Sequence, residues 1–148
     1  MNSEPRLPID MMPGFLIRRL QQRAVAEVGR EVAAAGIDVT PVQYAALEAL
    51  SAMPGADQTR LAARIAYDRV TIGGVIDRLV AKGFVARRTS ESDRRARHLS
   101  VTPAGEAALV TLRPAIARAQ QAIMGPVPKD KRAGFLEALA LLSNAEEA

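Results

Sequence analysis

The sequence predicts a mostly α-helical fold with a small β-wing, for three reasons. A capping threonine followed by proline, a typical helix start, occurs at Thr40 and again at Thr102. Strand-like alternation is confined to two short runs, residues 84–88 and 97–101. Ahead of these runs, apolar residues recur at the spacing of one buried helix face: Ile72, Val75, Ile76, Leu79 and Val80.

Length and composition limit the classes of protein that the chain can represent. At 148 residues, 49% of them hydrophobic, it can bury one core. It contains no apolar run long enough to cross a bilayer and no basic-then-apolar leader, so we expect a cytoplasmic protein with no membrane partner. There is no cysteine, and His98 is the only histidine, which argues against redox thiols and His/Cys zinc sites. We therefore expect no metal, no cofactor, no catalytic residues and no enzymatic activity.

The N-terminal part is expected to contain an arm and two helices. Residues 1–12 are polar and interrupted by prolines, which is typical of an arm. A long helix is predicted from Phe15 to about residue 35, ending at Gly36. The second helix starts at Thr40, with Gln43 in the capping-box position, and ends before Pro54.

Residues 57–101 have the pattern of a winged helix-turn-helix. Asp57 and Asp68 are each suited to cap a short helix, and the second helix ends at Lys82 and Gly83. The two strand-like runs follow at once, joined by a polar segment. Two helices with a tight connection and then a hairpin make this motif. Residues 55–56 are candidates for a third, very short strand of the wing.

Two further helices complete the chain. The first is predicted from residue 103 to about 124, with a bend at Pro114, and the second from 129 to about 144. Neither terminal helix has a neighbour in sequence that could cover its apolar face. We therefore expect the N- and C-terminal helices of two chains to interlock as dimerisation helices. The expected division is residues 1–36, 37–101 and 102–148, as parts of one intertwined domain.

The basic charge is concentrated in the winged helix-turn-helix. Between residues 57 and 101 there are ten Arg and Lys against five Asp and Glu, a net charge of +5, whereas the whole chain carries +4. A cationic surface on such a motif attracts phosphate, so double-stranded DNA is the expected partner. A solvated, arginine-rich hairpin without a ligand is the alternative interpretation.

The segment VIDRLVAKGFVARRTSESDRRARHLSVTPAGEAAL resembles the MarR family of transcription regulators. Its DRR in the wing and the VT-x-x-G start of the next helix match the hallmarks of that family, and the resemblance spans essentially the whole chain. It implies a homodimer with two winged helices at its base and a small-molecule pocket between the DNA-binding and dimerisation parts. The sequence departs from the family where Gly73-Gly74 replaces the common Thr-Arg pair.

The helix that starts at Asp68 is expected to enter the major groove with its first turn. Arg69 and Thr71 are candidates for bases or phosphates, and Arg78 for a phosphate or an ion pair. By resemblance, Asp93 would brace the wing and Arg94 or Arg95 would enter the minor groove. The other predicted DNA-binding residues are Val70, Gly73 and Gly74, which face outward, and Arg87, Arg88 and Arg97 near phosphates.

The resemblance also implies an effector, often a small aromatic or phenolic acid or its coenzyme A thioester. The candidates for binding an anionic or aromatic effector are Arg18, Arg19 and Gln22 on the first helix and Tyr44 on the second. The function favoured is a ligand-responsive repressor that binds a pseudo-palindromic operator. The alternative is an architectural or partner-controlled DNA-binding protein with no small-molecule effector.

Overall fold

A computed structural model describes residues 7–89 and 97–144. Six helices and one antiparallel hairpin follow a short 3-10 turn, Ile9–Met11. None of the helices in the described part is long and apolar enough to span a membrane. The elements are α1 Pro13–Ala34, α2 Pro41–Ala52, α3 Gln58–Arg64, α4 Arg69–Ala81, β1 Val85–Thr89, β2 Arg97–Val101, α5 Pro103–Met124 and α6 Lys129–Asn144.

The predicted helix starts are confirmed by their capping hydrogen bonds. Thr40 and Gln43 form the reciprocal capping box, with both bonds at 3.2 Å. The Asp57 carboxylate accepts the Arg60 amide at 2.8 Å at the start of α3. Such caps satisfy amides that have no partner within the helix, and each stabilises a helix by about 1 kcal/mol. α1 begins two residues earlier than predicted, because proline is well suited to a first helical position.

The hydrophobic core lies beneath the winged helix-turn-helix. α4 buries the predicted stripe almost completely, with Ile72, Ile76 and Leu79 fully inaccessible and Val80 half-buried at its edge. α2, α3 and α5 supply the leucines that pack against it. Burying a side chain of this size contributes about 1.5–3 kcal/mol. These leucines are Leu47, Leu50, Leu61, Leu109 and Leu112.

Gly105 allows α5 to begin directly against the base of the wing, where Phe84 precedes β1 and Val101 ends β2. A Cβ at this position would lie 2.6 Å from Cγ1 of Val101 and closer still to the carbonyl oxygen of Phe84. Thr102 fixes the same junction, because its side chain accepts the Gly105 amide at 3.1 Å. The glycine of the VT-x-x-G motif is thus required by a close backbone approach.

The long helices α1 and α5 pack side by side, but much of the outer surface is uncovered. Arg118 of α5 forms a 2.9 Å ion pair with Glu31 of α1. α1 contributes only Val32 to the buried set, and α6 contributes no buried residue. This pattern agrees with the predicted dimerisation helices. The exposed apolar side chains on these two helices include Phe15, Leu16, Ile17, Val25, Leu136, Leu141 and Leu142.

Candidate nucleic-acid interface and apolar cavity

The connection between α3 and α4 is a tight turn. Ala66 has a positive φ of 56°, the left-handed conformation that a non-glycine residue rarely adopts. The Tyr67 amide bonds back to the Ala62 carbonyl at 3.1 Å. Gln58 of α3 donates a 2.8 Å hydrogen bond to the Arg69 carbonyl at the start of α4. The first turn of α4 is therefore held in a defined position relative to α3.

The first turn of α4 is exposed and tightly capped. Arg69, Val70 and Thr71 are all accessible. The Asp68 carboxylate accepts the Thr71 amide at 2.8 Å and the Thr71 hydroxyl at 2.6 Å. These hydrogen bonds, with the hydroxyl bond the larger effect, lower the pKa of Asp68. The hydroxyl proton of Thr71 is thus already engaged within the protein, and only its lone pairs can accept from a base.

The two glycines of α4 occupy different environments. Gly74 is exposed, and a Cβ there would meet nothing within 4 Å. Gly73 is half-buried, and a Cβ there would lie 3.0 Å from Nε2 of Gln58. The expectation that Gly73 faces outward is therefore corrected. Its lack of a side chain leaves room for Gln58 to reach the Arg69 carbonyl.

The wing is a two-stranded antiparallel sheet in which Val85 lies opposite Val101 and Thr89 opposite Arg97. Arg88 and Arg97 are exposed, as predicted for residues near phosphates. Arg87 instead forms an ion pair with Asp77 of α4, which ties the wing to that helix. This ion pair does not test the phosphate contact expected of Arg87, which is itself exposed, and that contact stays a prediction. The predicted brace Asp93 and the tip residues Arg94 and Arg95 lie outside the described residues.

The loop before α3 attaches to the outer edge of the wing. The Gly55 amide donates to the Leu99 carbonyl at 3.1 Å, and the Leu99 amide donates to the Ala56 carbonyl at 2.9 Å. These bonds extend the hairpin by the short segment predicted as a third strand, although the regular sheet has two strands. His98 adds a 2.8 Å hydrogen bond from Nδ1 to the Gly55 carbonyl. The only histidine thus braces the wing.

A second feature is an apolar cavity of about 500 Å³ between α1, α2, α5 and α6. Ile17, Leu20, Val28, Ile116 and Phe135 are among its lining residues. The polar side chains of the lining are Gln21, Tyr44 and Gln120, and no charged residue is part of it. In the described ranges 7–89 and 97–144, no group of three His, Cys, Asp or Glu residues could hold a metal ion.

The structure brings only one of the four predicted effector residues to this cavity. Tyr44 lines it, whereas Arg18, Arg19 and Gln22 are exposed and absent from the lining. The physical reason is the direction in which each face of α1 points. The apolar face points toward the cavity and includes Gln21, whereas Arg18 and Arg19 lie on other faces of the helix. The spacing of Ile17, Leu20, Ala24 and Val28 in the sequence could have identified this face.

Tyr44 and a polar cluster form the edge of the cavity on α2. Burial, followed by the charge of Glu48 and the 3.3 Å hydrogen bond that the hydroxyl donates to it, raises the pKa of Tyr44 to about 12. Arg113 of α5 binds the same carboxylate at 3.1 Å, and this bond raises the pKa of Arg113. Tyr44 is therefore a neutral phenol at pH 7. Sequence analysis missed the pair of Glu48 and Arg113, since 65 residues separate the two.

Comparison with known proteins identifies the family. Residues 37–96 match a family model described as MarR family. The PcaV transcriptional regulator from Streptomyces coelicolor, crystallised with its natural ligand, has a TM-score of 0.85 and 32% identity to this chain, covering 97% of this chain and 100% of that one. The chain belongs to the MarR family. It is thus a transcription regulator of a DNA-binding family, which confirms the fold class and the expectation that it is not an enzyme.

Two further regulators resemble this MarR-family chain. The transcriptional repressor CouR bound to a 23-mer DNA duplex has a TM-score of 0.84 and 28% identity, covering 96% of this chain and 100% of that one. CouR bound to p-coumaroyl-CoA matches with a TM-score of 0.83 and 25% identity, covering 97% of this chain and 100% of that one. A regulatory protein assigned to the hcr operon of Thauera aromatica is 36% identical over 108 residues. The 108 matched residues make up 73% of this chain but 64% of that protein, so the match spans less than two thirds of the relative.

Proposed function

We propose that this MarR-type regulator is a homodimeric, ligand-responsive repressor that binds a pseudo-palindromic operator. The observation that carries the proposal is the exposed first turn of α4, held by the Asp68 cap and the Gln58 hydrogen bond. A major groove admits one helix, and a rigidly presented first turn can contact base edges. The similar repressor CouR, bound to a 23-mer DNA duplex, supports duplex DNA as the partner. Since operators lie on the chromosome, the proposal implies a cytoplasmic protein.

The proposed dimer follows from the uncovered apolar surface. Phe15, Leu16, Leu136 and Leu142 would remain in water in a single chain, whereas a partner related by twofold symmetry can cover them. The terminal segments 1–36 and 102–148 then form the dimerisation part, and segment 37–101 the DNA-binding part of one intertwined domain. Two α4 helices in successive major grooves require a separation of about 34–36 Å.

The proposed DNA contacts divide between the two grooves. Arg69, Val70 and Thr71 are assigned to base edges or nearby phosphates in the major groove, and Arg78 to a phosphate. Arg88 and Arg97 are assigned to phosphates beside the wing, with Arg94 or Arg95 in the minor groove and Asp93 as the brace. A minor-groove arginine favours narrow, A·T-rich segments.

The proposed effector is a small aromatic or phenolic acid or its coenzyme A thioester. A cavity of about 500 Å³ lies within the usual range for small-molecule sites, and its lining suits an aromatic ring. The amides of Gln21 and Gln120 can donate to a phenolic or carbonyl oxygen, and the Tyr44 oxygen, whose proton is donated to Glu48, can accept a phenolic hydroxyl. Since no charge lines the cavity, the acid or thioester group would lie at its opening. The p-coumaroyl-CoA complex of CouR supports this class.

The proposal is tested by selecting an operator duplex and then measuring whether a ligand releases the protein from it. The purified protein is used to select duplexes from a random library, and gel-shift affinity is then measured for the selected operator with and without a panel of aromatic acids and their thioesters. We expect a palindromic operator that one compound releases, and a solution mass of two chains. Arg69→Ala should weaken binding strongly, while the matched control Arg30→Ala, on α1 and paired with Glu27, should not. Unselective binding without release would favour the architectural alternative.

A further inference from the structure

Val70 is an unusually exposed apolar residue. Its exposed fraction is 87%, the highest among the large apolar side chains that the structure describes. It is the second residue of α4, directly after Arg69 and before the Thr71 that the Asp68 cap holds. A β-branched side chain at this position adds no packing to the core and lowers helix propensity relative to alanine. Its exposure therefore calls for an explanation outside the core.

The surface next to Val70 is open. Gly74 lies one helical turn further along and shares its face, and nothing would meet a Cβ there within 4 Å. The exposed backbone at Gly74 thus lies beside the two protruding methyl groups of Val70. Four exposed arginines lie on α4 and on α3, the helix packed against it: Arg69 and Arg78 on α4, and Arg60 and Arg64 on α3. This charge favours a polyanion over a protein partner as the molecule that covers Val70.

We infer that Val70 recognises the C5-methyl group of a thymine in the operator, with Gly74 allowing α4 to approach the base edges closely. The inference rests on the proposed function. Thymine is distinguished in the major groove by this methyl group, and aliphatic side chains contact it. The hydroxyl of the neighbouring Thr71 donates its proton to Asp68 and therefore cannot donate to a base, so the methyl contact of Val70 would add a specificity that this hydroxyl proton does not supply.

The expected effect is that of one methyl group removed from an apolar contact. Burying a methylene-sized group corresponds to roughly a fourfold change in affinity. Deoxyuridine differs from thymidine only in lacking this methyl group, so it changes neither base pairing nor charge. Replacing the contacted thymine of one half-site with deoxyuridine should therefore weaken operator binding by about fourfold. The equivalent replacement in the other half-site should have the same effect.

The experiment is a deoxyuridine scan of the selected operator, read by gel shift with the wild-type protein, Val70→Ala and Val70→Thr. With the wild type, one symmetry-related thymine pair should show the loss and the other thymines should not. With Val70→Ala this loss should disappear at the same pair, and Val70→Thr, which keeps one methyl group, should show an intermediate loss. Val110→Ala is the matched control, since Val110 is 66% exposed on α5, and it should retain the wild-type pattern.

The outcomes separate this inference from the proposed function. Tight operator binding with a flat deoxyuridine scan, or the same loss in Val70→Ala as in the wild type, would overturn the thymine contact and leave the repressor proposal intact. Failure of the wild-type protein to select or retain any duplex at low ionic strength would overturn both. The wild-type scan needs no variant, so the inference stays testable even if Val70→Ala folds poorly.

Discussion

The two adjacent glycines of α4 should respond differently to the same substitution to alanine. In a helix interior, glycine is about 1 kcal/mol less favourable than alanine. Gly74→Ala adds a methyl group to open surface, because nothing lies within 4 Å of the new Cβ. We therefore expect Gly74→Ala to raise the free energy of unfolding by about 1 kcal/mol.

Gly73→Ala should not raise the free energy of unfolding in this way. Its Cβ would lie 3.0 Å from Nε2 of Gln58, so this amide must move by a few tenths of an ångström. The same nitrogen donates the 2.8 Å bond to the Arg69 carbonyl. Weakening one hydrogen bond costs about 1 kcal/mol, which offsets the gain in helix propensity. The expected net change is close to zero.

A double-mutant cycle with Gln58→Ala isolates the cause. Without the glutamine side chain, Gly73→Ala should recover about 1 kcal/mol of stabilisation, while Gly74→Ala should gain the same amount in either background. The measurement is urea unfolding at one fixed chain concentration, because dimer stability depends on concentration. If Gly73→Ala stabilises the wild-type background as much as Gly74→Ala does, the assigned role of Gln58 is refuted.

Three further predictions follow from the described residues. Gly105→Ala should destabilise the protein by about 3 kcal/mol in thermal or urea unfolding, because the new methyl group meets the backbone of Phe84; a loss below 1 kcal/mol would contradict this close approach. Ala66→Gly should stabilise by roughly 0.5–1 kcal/mol, since glycine adopts the positive φ without steric cost, and a destabilised variant would argue against that conformation. In Tyr67→Phe, phenolate absorbance should report Tyr44 with a midpoint at about pH 12. Because the folded pKa exceeds the unfolded value of about 10, stability is unaffected at pH 7 and is lost as pH rises between these values.

The helix starts could be predicted because a cap is a local interaction. The acceptor of Asp68 and the amide of Thr71 are three residues apart, so both partners are visible in one short window of sequence. The buried stripe of α4 is equally local, since its apolar residues repeat with the helical period. These two kinds of signal are sufficient to locate the winged helix-turn-helix.

The contacts that refine the candidate site are not local. Arg87 of the wing forms an ion pair with Asp77 of α4, and nothing in the sequence distinguishes Arg87 from the neighbouring Arg88. Gly73 is explained by Gln58 on another helix. In both cases the tertiary arrangement decides which group a side chain meets, so residue type alone could not predict these internal contacts.

α2 connects the apolar cavity to the proposed DNA-binding surface. Its first turn carries Tyr44 into the cavity lining, while Leu47 and Leu50 further along the same helix lie in the core beneath α4. A ligand that displaces the start of α2 from α1 must therefore move the packing beneath α4 as well, since a 12-residue helix behaves as one rigid element. Tight binding alone does not release DNA, because a ligand with equal affinity for both arrangements shifts neither. A hundredfold release requires the ligand to prefer the arrangement incompatible with DNA by about 2.7 kcal/mol. If the proposed effector acts in this way, its shape must separate α1 from α2.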